Sequence, residues 1–158
     1  MPSICRYVWI ASGRIAFWFV RRPIGLLVRN SHRTRVLVVC QDEYLLVKHW
    51  LGDDSWMLPG GGSHRGEAPV KAAQRELKEE IGLDLTEEKF GHYGRHDCLD
   101  SIFKFNYDLY LVHVAKKPEL KLQTIEILSA NWFNRNEPAP KNISPEIDVA
   151  LAKWSSSR

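Results

Sequence analysis

One stretch constrains the fold of this chain more than any other: GGSHRGEAPVKAAQRELKEEIGL, from Gly61 to Leu83. Glu76, Glu79 and Glu80 fall at i, i+3 and i+4, which puts three carboxylates on one side of a helix. Val70, Ala73, Leu77 and Ile81 recur at helical spacing on another side. The segment therefore reads as a helix with one face for a core and one acidic edge. The pattern predicts a start near Gly66 to Ala68, with Pro69 tolerated in the first turn, and a stop at Gly82. Carboxylates crowded along one edge repel. Water can solvate them at small cost, or a hard cation such as Mg2+ or Mn2+ can bridge their oxygens. Charge pattern alone leaves both readings open. The run Gly60-Gly61-Gly62 adds backbone groups that a ligand can approach closely.

Strands flank this helix on both sides. Arg35 to Cys40 (RVLVVC) reads as a buried strand, Gln41-Asp42-Glu43 as a turn, and Tyr44 to His49 (YLLVKH) as the returning arm of a hairpin. Lys48 and His49 close that arm as an exposed strand end, with reach to a phosphate as the sharper alternative. Trp56 to Leu58 reads as a short strand leading into the glycines. Gly91 to Ser101 is polar and carries His92, Arg95 and His96; it reads as loop or strand edge, without metal-ligand spacing. Tyr107 to Val114 has strong strand propensity, and Trp132-Phe133 marks another short strand. Ser144 as N-cap and Pro145 at N1 start a closing helix with Ile147, Ala150, Leu151 and Trp154 on one stripe. Strands around a central helix, closed by a second helix, predict an α/β layered domain.

The central stretch resembles the Nudix box. That pattern is Gly, five residues, Glu, seven residues, Arg-Glu, an aliphatic residue, any residue, Glu-Glu, any residue, Gly and an aliphatic residue. Gly61, Glu67, Arg75-Glu76-Leu77, Glu79-Glu80 and Gly82-Leu83 match it at every fixed position. Trp56 to Gly61 resembles the usual approach to the box, and a weaker likeness extends from about Arg33 onwards. The resemblance implies a Nudix fold, a mixed β-sheet sandwiched between α-helices. It implies an Mg2+- or Mn2+-dependent hydrolase that cleaves the pyrophosphate linkage of a nucleoside diphosphate derivative. Glu76, Glu79 and Glu80 would hold the metal, with the Gly60 carbonyl and a later acid, Glu126, as further ligands. Asp97 and Asp100 are rivals for that later acid. Glu79 or Glu76 would be the general base, and Glu67 and Arg75 would support the metal-binding carboxylates from behind.

Substrate choice is less legible. ADP-ribose hydrolases of the family often carry a proline after the box where this chain has Leu99, and dinucleoside polyphosphate enzymes often carry a tyrosine near there. Motifs of the NADH and coenzyme A pyrophosphatases are also missing. Nucleoside triphosphates, including damaged ones, are the remaining expectation. Trp50, Trp56, Tyr93 and Phe103 offer rings for a base or for packing. The alternative function is a Nudix-fold nucleotide-binding or sensor module without turnover; an intact carboxylate set argues against it.

The 158 residues suffice for one domain, expected over 31–158, preceded by an N-terminal arm over 1–30 that is expected to be helical. Seven arginines precede the first acid, Asp42, so a basic arm joins a mildly acidic body. This asymmetry fits an anionic partner or a basic rim around a phosphate site. Arginines that solvate an apolar helix are the plainer reading, and a nucleic-acid partner is not expected. Ile4 to Val20 is aromatic and apolar, but Arg14 at its centre and Pro23 beyond it oppose a bilayer span of about 20 residues. No cleavage site supports a signal peptide. The arm then docks on its own domain or a dimer mate, or lies at a membrane surface. Cys5, Cys40 and Cys98 form no paired motif, which suggests reduced thiols in a cytoplasm.

Overall fold

The computed structural model describes residues 32–50, 54–99 and 104–156, together with Val8, Ala11 and Ser12. Val8, Ala11 and Ser12 are helical; the remainder of the arm, with its docking, dimerisation and membrane readings, lies outside the described residues. So do Asp100 and Phe103.

Five strands form one mixed sheet: β1 (His32–Cys40), β2 (Glu43–His49), β3 (Phe90–Leu99), β4 (Lys104–His113) and β5 (Ile127–Asn134), in the order β3-β4-β1-β2-β5. β1 runs parallel to β4, and the other neighbours are antiparallel. Two helices cover it, α1 (Pro69–Ile81) and α2 (Glu146–Ser156). The unbroken apolar run of β1 follows from this layering, since both faces of a central strand need apolar side chains. Val36 and Val38 pack with Ala73, Leu77 and Ile81 of α1. Leu37 and Val39 pack on the opposite face with Ile147, Ala150 and Trp154 of α2. Cys40 and Cys98 are buried.

α1 starts at Pro69, one residue beyond the expected window, because Ala68 is still extended and has no capping side chain. Its end falls where the glycine predicted it. The Gly82 N–H donates to the Lys78 carbonyl at 3.1 Å and the Leu83 N–H to the Leu77 carbonyl at 3.2 Å, closing the orphan carbonyls of the last turn. In α2 the expected cap is modified. The Ile147 N–H bonds the Ser144 carbonyl at 3.1 Å, while the Ser144 hydroxyl is buried without a partner.

The polar 91–101 stretch is mostly an edge strand, β3, whose polarity reflects its half-exposed face rather than a loop. Strand β5 is longer than Trp132-Phe133 because backbone pairing with β2 continues through Ser129, Ala130 and Asn131.

The most consequential local feature is the course of residues 56–63. β1 and β2 pair only beside their turn, at Val39–Tyr44 and Cys40–Glu43. Further down, the 56–63 segment enters between them. Met57 exchanges two 3.0 Å backbone hydrogen bonds with Val47. On the other side, Val36 N–H donates to the Pro59 carbonyl at 2.9 Å and Thr34 N–H to the Gly61 carbonyl at 2.8 Å. The expected strand Trp56 to Leu58 is thus two isolated bridges within a wedge. This wedge carries the glycines to the acidic edge of α1.

Candidate active site

Two glycines let α1 close onto the wedge. Gly60 has φ +130°, and a Cβ there would sit 2.4 Å from the Thr34 carbonyl oxygen, so only glycine fits. At Gly61 a Cβ would meet the Glu76 carboxylate at 2.5 Å. The acid therefore lies directly against the backbone. Next to it, the Gly60 N–H donates to Glu80 Oε2 at 2.8 Å.

Glu67, Glu76 and Glu79 gather around Arg75. Its Nε and Nη2 donate to the two Glu67 oxygens at 3.0 Å each, and Nη2 also reaches the Gly62 carbonyl at 2.9 Å. Its Nη1 donates to Glu76 at 2.9 Å and to Glu79 at 3.1 Å. The Arg75 hydrogen bonds and the His64 N–H pull the Glu67 carboxyl down to about 2, and the same carboxylates hold Arg75 above its ordinary value. Glu79 keeps about half its side chain in solvent, at 52% exposure.

Behind this group the site is buried. Glu80 is 2% exposed. Burial, opposed by the Gly60 hydrogen bond and reinforced by Glu76 and Glu126, pushes its carboxyl up to about 8. Burial, with Arg35 and Arg33 nearby, pulls His49 down to about 4. The two side chains lie 3.5 Å apart, and burial works against charge on both. Burial also raises Glu76, against the pull of Arg75, with Glu79 and Glu126 adding repulsion.

These carboxyls share one region of negative potential. Among the described residues no group of three or more His, Cys, Asp or Glu side chains is gathered closely enough to hold an ion. The donor set still suits a hard cation. Glu80 is buried with no cationic hydrogen-bond partner among the described residues, and burial with the Glu76 and Glu126 charges outweighs the Gly60 N–H and Arg35 in disfavouring its ionisation. A divalent ion supplies the countercharge that such a carboxyl lacks.

Glu76 lies against Gly61, Glu80 accepts from the Gly60 N–H, and Arg75 ties Glu67, Glu76 and Glu79 to one another, but the three α1 carboxylates do not converge on one point among the described residues. Glu126 sits in an exposed turn before β5 and acts electrostatically on Glu76 and Glu80. The turn is tied to α1 by Gln123 N–H on the Glu80 carbonyl at 3.0 Å and Lys121 N–H on the Ile81 carbonyl at 2.9 Å. Asp97 is exposed on β3. The Gly60 carbonyl already accepts from Arg35 Nη1 at 2.6 Å. Lys48 pairs with Asp54 at 3.1 Å and lies 4.9 Å from the Trp56 ring centre, and Trp56 packs against Phe133. His49 is a correction, since it turns inward against Glu80 instead of ending an exposed strand.

Sequence reasoning missed Arg33, Arg35 and Glu146. Arg35 is buried and donates to Glu146 Oε1 at 3.3 Å. The available signal was the pair Arg33 and Arg35, two residues apart in an otherwise apolar strand, hence on one face. Both had been grouped with the arginines of the arm.

A family model described as NUDIX domain matches residues 20–154. An RNA pyrophosphohydrolase of Nitratiruptor sp. is 38% identical over 82 residues, covering 46% of this chain and 53% of the relative. Nudix hydrolase 10 of Arabidopsis thaliana is 28% identical over 141 residues, covering 85% of this chain and 49% of the relative. The chain thus spans about half the length of these curated relatives. Among solved structures, a MutT NUDIX hydrolase from Burkholderia pseudomallei superposes with a TM-score of 0.70 at 22% identity, covering 79% of this chain and 98% of that one. A MutT protein from Methanosarcina mazei gives 0.67 at 17% identity, over 81% and 94%. At such identities the superpositions speak for the fold.

Proposed function

The chain belongs to the Nudix family, and from that premise we propose that it is an Mg2+- or Mn2+-dependent hydrolase of the pyrophosphate linkage in a nucleoside diphosphate derivative, with nucleoside triphosphates preferred. One observation carries this reading: Glu76 and Glu80, packed against Gly61 and Gly60, are both held above their ordinary carboxyl values by burial, with Glu79 and Glu126 adding repulsion at Glu76 and Glu76 and Glu126 adding it at Glu80. Such an arrangement is costly for a purely structural helix edge. It is useful to a protein that binds cations.

Glu76, Glu79 and Glu80 would hold the divalent ion, joined by Glu126 and the Gly60 carbonyl. When bound, such an ion neutralises phosphate oxygens, polarises phosphorus and acidifies water. Arg75 fixes the rotamers of Glu76 and Glu79 and ties them to Glu67 and the Gly62 carbonyl. Glu79 is the better placed base, because its carboxylate is half in solvent whereas Glu76 is pressed on Gly61. It takes the proton of the attacking water as the new P–O bond forms and the anhydride P–O bond breaks, releasing a phosphate anion. The buried cysteines Cys40 and Cys98, far apart in sequence, support a reducing, cytoplasmic setting, and no described helix is long and apolar enough to cross a membrane.

The relatives named RNA pyrophosphohydrolase extend the substrate question to a triphosphorylated RNA end, which presents the same linkage. The test is a hydrolysis screen with Mg2+ or Mn2+ over nucleoside triphosphates, nucleoside diphosphate sugars and a 5′-triphosphorylated oligoribonucleotide, with products identified. Release of pyrophosphate or of a nucleoside monophosphate supports the reading. Tight nucleotide binding without product from any of them favours the sensor module instead.

A further inference from the structure

The mechanism above leaves two cations of β1 unused, Arg35 buried and Arg33 half-buried. Arg33 and Arg35 lie two residues apart on β1 and share one face of the sheet. Both guanidinium groups stand over the Phe105 ring, at 5.2 and 5.7 Å from its centre. Their situations differ. Arg35 is fully engaged with Glu146 at 3.3 Å, the Gly60 carbonyl at 2.6 Å and the Thr34 carbonyl at 3.3 Å. Arg33 has a buried Nε with no hydrogen-bond partner, and no described carboxylate forms an ion pair with it. Burial and the neighbouring Arg35 charge pull Arg33 down to about 10, against the opposing charges of Glu76, Glu80 and Glu146.

A buried donor without an acceptor is costly to maintain. It becomes useful when a ligand brings the acceptor. Position says which ligand. The Arg33 backbone bridges Gly62 across the wedge, and its guanidinium feels the charges of Glu76 and Glu80. An anion on Arg33 therefore lies within electrostatic reach of the α1 carboxylates. A cation held by those carboxylates neutralises only part of a pyrophosphate, whose remaining oxygens need direct donors, and a planar guanidinium suits them.

We propose that Arg33 is a phosphate-binding residue of this site: its guanidinium, supported by Phe105 and held in place beside Arg35, donates to non-bridging oxygens of the ligand's pyrophosphate group. Arg35 is a positioning residue, anchored by Glu146 and the Gly60 carbonyl. The inference deepens the function proposed above and rests on it for the identity of the anion.

The test is calorimetric titration of the full chain with inorganic pyrophosphate in EDTA, so that no divalent cation contributes. Wild type should bind, Arg33→Gln should bind at least about tenfold more weakly, and Arg33→Lys, a point charge without the fork, should fall between them. Melting curves establish that each variant is folded, and the charge-conserving Arg33→Lys serves if Arg33→Gln is not. Equal affinity in folded wild type and variants, or no binding by wild type, overturns the proposal. In the substrate screen, Arg33→Gln should raise KM more than it lowers kcat; an unchanged KM counts against it. Arg33-dependent pyrophosphate binding by a protein that hydrolyses nothing would sink the enzymatic reading and leave this inference standing. Hydrolysis with Arg33-independent binding would do the reverse.

Discussion

Two charged clusters meet at the 60–62 glycines, and they balance their charges differently. Around Arg75, a partly exposed guanidinium satisfies Glu67, Glu76 and Glu79 together. Solvent and one cation suffice there. Around Arg33, Arg35, Glu80 and His49, burial has removed most of the solvent, and two polar atoms, Arg33 Nε and His49 Nε2, lack hydrogen-bond partners. In the first cluster each carboxylate already has Arg75 as a partner. The second keeps polar atoms without hydrogen bonds, as a site that takes an anion would.

Variants can break this contrast. The largest effect on turnover is expected from Glu79→Gln. Loss of the base should lower kcat by roughly 10²–10⁴-fold, with an unchanged melting temperature because the side chain is half exposed. Steady-state kinetics beside a thermal melt checks both. Arg35→Ala should have the largest effect on stability. It strands the buried Glu146 carboxylate, and removing one partner of a buried pair costs about 3–5 kcal/mol; chemical denaturation reads the loss. By contrast, Glu67→Ala at the partly exposed cluster should cost about 1 kcal/mol. If the two losses were equal, the distinction between a partly solvated and a buried cluster would collapse.

A third charged group sharpens the comparison through pH. Asp108 is buried, which alone would raise its pKa, yet His92, Arg95 and His32 all donate to it and together hold it below the ordinary carboxyl value. A depressed folded-state pKa stabilises the fold above the unfolded value of about 4, and that stability is lost as pH falls from there through the folded value. Asp108→Asn should therefore flatten the acid limb of a melting-temperature profile below about pH 4 while changing turnover at neutral pH little. An unaltered acid limb would show that these donors contribute nothing to stability.

The legibility of the molecule in its sequence divides along the same line. Glu76, Glu79 and Glu80 could be read because helical spacing repeats locally, and α1 ends at Gly82 for a reason visible in the letters. The hairpin of β1 and β2 was legible from its β-branched runs. The 56–63 wedge was not, because it is held by scattered backbone hydrogen bonds that leave no alternation of side chains. Arg33 and Arg35 read as a continuation of the arginine-rich N-terminal run because nothing local says that the sheet packs around them. His49 could not be turned inward without knowing that Glu80 would arrive from a helix thirty residues on. Long-range packing decides these three, and it brings them to the α1 carboxylates.

The most direct measurement is Mn2+ binding, followed by electron paramagnetic resonance, in wild type, Glu76→Gln and Glu80→Gln. Wild type should bind Mn2+, and each variant should bind it about tenfold more weakly or worse, with hydrolysis falling in parallel. Unchanged Mn2+ affinity in both folded variants would contradict the assignment of these carboxylates as the metal site.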